Sequence, residues 1–226
     1  MFLMEKEIDQ FISYLHNTKK TSENTEMSYR RDLNKVLKYM KEQGIAEVSE
    51  ITVTHLHSYI LYLEKNHFAA ATISRNIASI KAFYHYLWKE GKVPEDISEA
   101  LKPPKIEKKI PEILSEEQVN RLLEQPGTES PKEVRDKAML ELLYATGIRV
   151  TELISLKVTD VNLKLGFIVC RDNNKERVVP FGREAKNALL RYLESARRDM
   201  IENEEEDTLF VNYSGQPMSR QGFWKL

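Results

Sequence analysis

Cysteine, long apolar runs and an excess of either charge are all missing from this sequence, and each absence excludes a class of protein. Cys170 is the single cysteine among 226 residues, which rules out an internal disulfide framework and is typical of a reducing compartment. No apolar run approaches the ~18 residues that a membrane span needs, and the N-terminus lacks a secretory signal pattern. We therefore expect a cytoplasmic protein without a membrane partner.

The overall charge does not indicate a nucleic-acid-binding protein. Lysine and arginine number 34, aspartate and glutamate 35, and the net charge is −1. The distribution is uneven, however, because Lys102 and Lys105 belong to a basic run that also contains prolines. Such a run is either a solvated loop or a local phosphate-binding patch, and composition leaves both interpretations open.

Several motifs that carry chemistry are absent as well. The histidines form no H-E-x-x-H pair and have no cysteine partners, so we expect no metal site. The sequence also lacks a G-x-S-x-G elbow, a Walker loop and a G-x-G-x-x-G fingerprint. We expect a protein that works without a metal or another cofactor.

Apolar periodicity predicts an all-helical first domain over residues 1–101. Four or five helices follow one another without a strand signal, with capping residues at Ser22 and Thr52 and terminating glycines at Gly44 and Gly91. Residues 102–112 contain three prolines and little to bury, which predicts a linker.

Residues 113–226 predict a mixed α+β domain, so the expected fold is mainly α with a small β-sheet. Capping residues at Ser115, Ser130 and Ser219 mark the starts of helices. The β-prone runs at 167–170 and 178–181 flank a turn and predict a hairpin, and 208–211 predicts a further short strand.

Arg149 is the first candidate site residue. Gly147 is suited to end the preceding helix, and Thr151 is suited to cap a following helix at 152–157, which would place Arg149 beside a helix N-terminus that favours anions. A guanidinium there offers a bidentate fork to phosphate oxygens, and Glu152 is positioned to orient it. The alternative is an ordinary ion pair between Arg149 and a carboxylate.

Two further sets of polar residues are candidates. Lys175 follows the hairpin turn, where a lysine is either solvated or reaches into a groove as a point charge or general acid. The first domain combines hydroxyls and cations on helices whose other faces are apolar, a mixture that suits contacts to DNA phosphates. These residues are Tyr29, Arg30, Arg31, Ser74, Arg75, Ser79 and Lys81.

Five segments, in order along the chain, resemble one family. Residues 135–153, R-D-K-A-M-L-E-L-L-Y-A-T-G-I-R-V-T-E-L, closely resemble the first catalytic-arginine segment of tyrosine recombinases, the phage integrase family, particularly its XerC/XerD-like group. Residues 23–33 resemble the SAM-like core-binding domain, and 111–123 the start of the catalytic domain. Residues 174–182 resemble the strand after the family's hairpin, and 218–224 a segment before its histidine-containing box.

The resemblance implies a two-domain clamp around duplex DNA that acts as a tetramer. In this family a tyrosine attacks a phosphodiester, giving a 3′-phosphotyrosyl link and a free 5′-hydroxyl, without metal or ATP. By the resemblance, Arg149 is the first active-site arginine and Glu152 its supporting carboxylate, while Lys102 and Lys105 join the predicted DNA-contacting set.

The sequence departs from the family pattern in two places. The hairpin is one residue shorter than the usual G-K-G-x-K form, which puts Asp172 in the usual lysine position, and we expect Lys175 to act in its place. The H-x-x-R box and the nucleophilic tyrosine are not matched, and we expect them beyond Leu226, so that this chain binds DNA but does not recombine it. The alternative is a non-enzymatic DNA-binding protein with a helix-turn-helix at 135–157.

Overall fold

The apolar spacing of the first hundred residues produces four long helices. In the computed structural model, which describes residues 3–106, 111–172, 175–203 and 205–226, the chain divides into two units, Met1–Ile110 and Pro111–Leu226. The division falls within the predicted linker, of which residues 107–110 lie outside the described residues. The long helices of the first unit are α1 (Leu3–Tyr14), α2 (Glu23–Glu42), α3 (Val53–Lys65) and α4 (Ala70–Lys89).

Side-chain caps set where these helices begin. The Ser22 hydroxyl accepts from the backbone N–H of Thr25 at the start of α2, and Thr52 accepts from His55 at the start of α3. Both caps were predicted and both are confirmed. A cap of this kind stabilises a helix by about 1 kcal/mol because it satisfies an N–H that has no partner within the helix.

The buried faces of the four helices form one hydrophobic core. The largest fully buried side chains of this unit include Phe11, Leu33, Met40, Leu56, Tyr59, Ile80, Tyr84 and Leu87. Each such side chain contributes roughly 1.5–3 kcal/mol on burial. The helices are therefore held together mainly by the packing of their apolar faces.

The second unit combines helices with a small sheet, which confirms the predicted fold class. Its helices are α5 (Glu116–Leu123), α6 (Pro131–Thr146), α7 (Val150–Ser155), α8 (Arg183–Arg191), α9 (Arg197–Met200) and α10 (Arg220–Trp224). The predicted caps Ser115, Ser130 and Ser219 stand at the starts of α5, α6 and α10. α6 packs against α8, and its residues Ala138 and Leu142 are fully buried.

The sheet is antiparallel, with strand order β1-β2-β3. Its strands are β1 (Val161–Asn162), β2 (Phe167–Asp172) and β3 (Lys175–Pro180). β2 and β3 form the predicted hairpin, with Asp172 opposite Lys175 and Cys170 opposite Arg177; residues 173 and 174 of the predicted turn lie outside the described residues.

The strand predicted at 208–211 is wrong. Thr208 and Val211 each make a single isolated bridge, to Lys157 and Pro217 respectively, and no ladder develops between them. Leu209 and Phe210 are fully buried between these bridges, so the apolar run reflects burial in the core. Within the described residues, no helix is both long and apolar enough to cross a bilayer.

Candidate functional site

The chain turns sharply between α6 and α7, and Arg149 lies at this turn. Gly147 ends α6 in the left-handed conformation, with φ of +61°, and its N–H donates to the carbonyl of Leu143 at 2.8 Å. Glycine adopts this conformation without the steric cost that a Cβ brings. The prediction that Gly147 ends the helix is confirmed.

The start of α7 differs from the prediction. Arg149 itself is the N-cap, α7 runs over Val150–Ser155, and Thr151 lies inside its first turn, so the predicted Thr151 cap and the 152–157 bounds are wrong. The reason is Glu152, whose carboxylate accepts the backbone N–H of Arg149 at 2.7 Å. That bond satisfies a donor at the N-terminus and fixes the helix start two residues earlier.

Glu152 is buried and connects α7 to the hairpin. Its side chain is 6% exposed, and it accepts two hydrogen bonds from Arg177 on β3, at 2.6 Å to Oε1 and 3.0 Å to Oε2. The guanidinium of Arg149 approaches the same Oε1 at 3.6 Å. The shorter, bidentate contact is therefore the one with Arg177, as expected for two forks of matching geometry.

The pKa of the Glu152 carboxyl is lowered from its ordinary value. The hydrogen bonds from Arg177 are the largest cause; the backbone N–H of Arg149 and the charges of both arginines lower it further, while burial opposes them. Glu152 is consequently an ionised acceptor near neutral pH, which is the state required to hold two arginines.

Arg177 is the member of this cluster that the sequence did not reveal. It is 25 residues from Glu152 along the chain, so no helix or strand periodicity connects the two. The available signal was its place within 174–182, the segment that resembles the strand after the family's hairpin, two residues after the candidate Lys175 and therefore on the same face of such a strand.

Strand register places Lys175 on the face of the hairpin that carries Arg177. Lys175 is exposed and stands opposite Asp172. Glu176, between them, points to the other face, where it accepts a hydrogen bond from Arg171 at 2.8 Å. The structure therefore brings Lys175 to the same face as the Arg177–Glu152 pair.

The α2 candidates for DNA contact have different environments. Arg31 is exposed, and within the described part of the chain it has no hydrogen bond or ion pair. Arg30 forms an ion pair with Asp9 of α1. Tyr29 is half-buried, and its ring stacks on Phe11 at 6.5 Å.

Two of the α4 candidates for DNA contact, Arg75 and Ser79, form hydrogen bonds within the first unit. Arg75 donates from Nε and Nη2 to the buried carboxylate of Asp32, at 2.7 and 2.9 Å. Ser79 is fully buried, and its hydroxyl donates to the carbonyl of Asn76 at 2.8 Å. Ser79 has no exposed surface, so its predicted contact with DNA is wrong. Its hydroxyl instead makes a hydrogen bond within α4.

The remaining basic and polar candidates differ in their exposure. The Ser74 hydroxyl is shielded from solvent and has no hydrogen-bond partner among the described residues. Lys81 Nζ donates to the carbonyl of Glu99 at 3.5 Å. Lys102 and Lys105 are exposed in the segment that follows the first unit's core.

The described residues provide neither a metal site nor a reactive thiol. Among the described residues, no group of three or more histidine, cysteine, aspartate or glutamate side chains is arranged to hold a metal ion. Cys170 is buried, and burial raises the pKa of its thiol, which keeps it protonated and unreactive near neutral pH.

Comparison with known proteins matches both units to the same protein family. Residues 112–226 match the model of the phage integrase family, and residues 8–91 match that of the phage integrase N-terminal SAM-like domain. The tyrosine recombinase XerD of Oceanobacillus iheyensis is 43% identical over 227 residues, covering 99% of this chain and 76% of the relative. The tyrosine recombinase XerC of Herpetosiphon aurantiacus is 38% identical, covering 99% of this chain and 74% of the relative.

Solved structures of integrases share the fold. The Tn1549 transposon integrase in complex with circular intermediate DNA superposes with a TM-score of 0.71 at 15% identity, covering 96% of this chain and 74% of that one. A lambda integrase tetramer bound to a Holliday junction gives a TM-score of 0.73 at 14% identity, covering 97% and 62%. These TM-scores establish the fold, and the family-model and sequence matches establish the relationship. The chain belongs to the phage integrase, or tyrosine recombinase, family.

Proposed function

We propose that this protein is a site-specific recombinase that cuts and rejoins duplex DNA through a 3′-phosphotyrosyl intermediate. One observation carries the proposal: Arg149 and the lysine-bearing hairpin meet at Glu152, within the unit that matches the family's catalytic domain. No observation favours the helix-turn-helix alternative. Its second helix, α7, has six residues and buries Glu152 and Leu153 rather than presenting them to a groove.

Arg149 is the proposed stabiliser of the transition state. Attack on a phosphodiester produces a pentavalent phosphorane with more negative charge than the substrate, so a preplaced guanidinium stabilises it more than the ground state. The Arg149 side chain is 70% exposed, and it stands at the mouth of α7 where a phosphate has access. Glu152 holds its backbone in place.

Lys175 is the proposed general acid. The departing 5′ oxygen needs a proton, and a positioned lysine ammonium supplies one. Lys175 is exposed and lies on the face of the hairpin that carries Arg177. Its position two residues before Arg177 supports the assignment even though the usual lysine position holds Asp172.

The first unit is the proposed DNA-positioning domain. Arg31, Lys102 and Lys105 are exposed and suited to phosphate contacts, and Arg30 and Arg75 keep part of their side-chain surface exposed. Tyr29 and Lys81 remain candidates, whereas Ser79, which is fully buried, and Ser74, whose hydroxyl is shielded from solvent, are removed.

We propose that assembly follows the family pattern, with a tetramer on DNA. The lambda integrase relative in fold was solved as a tetramer bound to a Holliday junction, which supports this state here. In a bacterial cell a DNA substrate lies in the cytoplasm, which is the compartment that we propose. No tyrosine of this chain is assigned as nucleophile, because the motif that identifies it is not matched in the 226 residues.

The test measures covalent capture of DNA by the protein encoded in the complete reading frame. Incubation with genomic fragments and sequencing of covalent junctions identifies the target site, which is then made as a nicked suicide substrate. Arg149→Ala is expected to abolish covalent complex formation while the Kd for the site changes less than about threefold. Arg183→Ala, which removes an 86% exposed arginine of the same unit, is the matched control and should cleave normally. Arg149→Ala that cleaves normally once bound would contradict the proposal.

A further inference from the structure

The hydrogen bonds of Glu152 connect the backbone of Arg149 to the strand that carries Lys175. One carboxylate oxygen accepts the backbone N–H of Arg149 at 2.7 Å, and both oxygens accept from Arg177 at 2.6 and 3.0 Å. Arg177 in turn lies two residues after Lys175 on β3. A strand rises about 3.3 Å per residue, so the lysine is about 7 Å along the strand from the ion pair.

We infer that Arg177 is a positioning residue of the recombination site, which acts through Glu152 to fix Lys175 on the hairpin relative to Arg149 on α7. The inference rests on the proposed function, since it assigns Arg177 a role in the reaction that Arg149 and Lys175 carry out. Arg177 itself is not proposed to contact DNA.

The geometry favours this role over simple stabilisation of the fold. β2 and β3 are already joined by their backbone ladder, and the core beneath them holds Ile168 and Cys170, so the hairpin does not need Arg177 to form. What the ladder does not set is where the hairpin end lies relative to α7. The core, which also holds Leu153 of α7, sets the base of the hairpin, and the bidentate contact to a 6% exposed carboxylate on α7 adds a directional restraint nearer its end.

The chain contains a closely matched control on the same hairpin. Arg171 on β2 is 53% exposed, close to the 48% of Arg177, and it too makes ion pairs, with Asp160 and with Glu176. Its partner Glu176 belongs to the opposite face of β3. Loss of Arg171 therefore removes a hairpin arginine of similar exposure without disturbing Glu152.

The experiment compares single-turnover cleavage and DNA affinity of five variants of the complete protein: R177Q, R171Q, R177K, E152Q and the double variant E152Q/R177Q. R177Q is expected to lower the cleavage rate at least tenfold with a Kd within threefold of wild type, whereas R171Q should stay within threefold in both. R177K retains the charge but lacks the fork, so its rate should fall between R171Q and R177Q. In an E152Q background, R177Q should lower the cleavage rate less than threefold, because the partner through which Arg177 acts has already been altered.

The outcomes separate the inference from the proposed function. A wild-type protein that does not cleave its site refutes the proposed function, whereas R177Q cleaving like R171Q refutes this inference alone. Rate losses of R177Q and E152Q that simply multiply would show that Arg177 acts independently of Glu152 and would also overturn it. If R177Q fails to fold by circular dichroism, R177K decides between the outcomes: cleavage equal to that of R171Q overturns the inference, and an intermediate rate supports it.

Discussion

The fully buried carboxylate of Asp32 on α2 accepts two hydrogen bonds from Arg75 on α4, 43 residues further along the chain. The Arg75 side chain is 43% exposed, so one ion of the pair is inside the helical core and the other reaches its surface. An arginine predicted as a DNA contact thus also connects two helices. Loss of DNA binding on substitution of Arg75 would have two explanations, which separate stability measurements distinguish.

Arg75→Ala is expected to destabilise the first unit by roughly 2–3 kcal/mol, because it leaves a buried carboxylate without its partner. Arg31→Ala, at an exposed position on α2, should change the free energy of unfolding by less than about 0.5 kcal/mol. Trp88 lies in the first unit and Trp224 in the second, so urea unfolding followed by fluorescence in a Trp224→Phe background reports the first unit. Equal unfolding midpoints for the two variants would refute the role of the pair.

Arg31 is expected to contribute one phosphate contact to DNA binding. Arg31→Gln should reduce the slope of log K against log salt by about 1, since one fewer counterion is released. Lys65→Gln, an exposed cation at the end of α3, removes the same charge outside the proposed interface and should leave the slope unchanged. Fluorescence anisotropy with the identified site, over roughly 50 to 200 mM salt, makes the comparison. A slope shared by all three proteins would place Arg31 away from the DNA.

Lys175→Gln is expected to lower the single-turnover cleavage rate by about 10²–10⁴, the usual contribution of general acid catalysis. A substrate with sulfur in place of the bridging 5′ oxygen releases a thiolate that needs no proton, so it should restore most of the lost rate. Lys164→Gln removes an exposed lysine on the turn before β2 and should cleave both substrates like wild type. A rate loss that the sulfur substrate leaves untouched would mean that Lys175 binds the phosphate without donating a proton.

Gly147→Ala is expected to destabilise the second unit by about 1 kcal/mol. A Cβ at Gly147 meets no atom within 4 Å, so the cost comes from its φ of +61°, a left-handed conformation that is sterically unfavourable for alanine. Gly182→Ala is the control, since it also meets nothing within 4 Å and its φ is −83°. Thermal unfolding by circular dichroism compares the two; if Gly182→Ala costs as much as Gly147→Ala, strain at the turn is not the cause.

Arg197 is expected to stabilise the segment 206–209, which precedes α10 in the chain. This buried side chain donates to the backbone carbonyls of Glu206, Thr208 and Leu209. Arg197→Gln should cost roughly 2–4 kcal/mol because it leaves buried acceptors unsatisfied, whereas the exposed Arg198→Gln should be nearly neutral. Hydrogen exchange of peptides spanning 205–218 locates the effect. Unchanged protection in Arg197→Gln would contradict it.

Helix ends could be predicted from the sequence because their causes are local. Ser22 and Ser115 stand within three residues of the N–H groups they cap, and Gly147 determines its own backbone conformation. The prediction of a Thr151 cap was wrong for an equally local reason. The carboxylate of Glu152, three residues further along, accepts the N–H of Arg149 and moves the helix start.

Contacts between distant segments could not be predicted in this way. The pairing of Arg177 with Glu152 depends on how the hairpin lies on α7, and periodicity within either element does not contain that information. Ser79 shows the related difficulty for a face of a helix. Ser79 was grouped with Arg75 as a polar residue on a helix whose other face is apolar, yet Ser79 is completely buried.

The antiparallel register of β2 and β3 also constrains how this hairpin changes in evolution. Side chains alternate between faces, so a slip of one residue in β3 would send Lys175 and Arg177 to the side now occupied by Glu176 and carry Glu176 toward Glu152, replacing attraction with repulsion. A change of length in the connection between the strands has no such effect while the ion pair keeps the strand in place. Natural variation in length is therefore expected to accumulate between the strands, and the interval from Lys175 to Arg177 to stay constant.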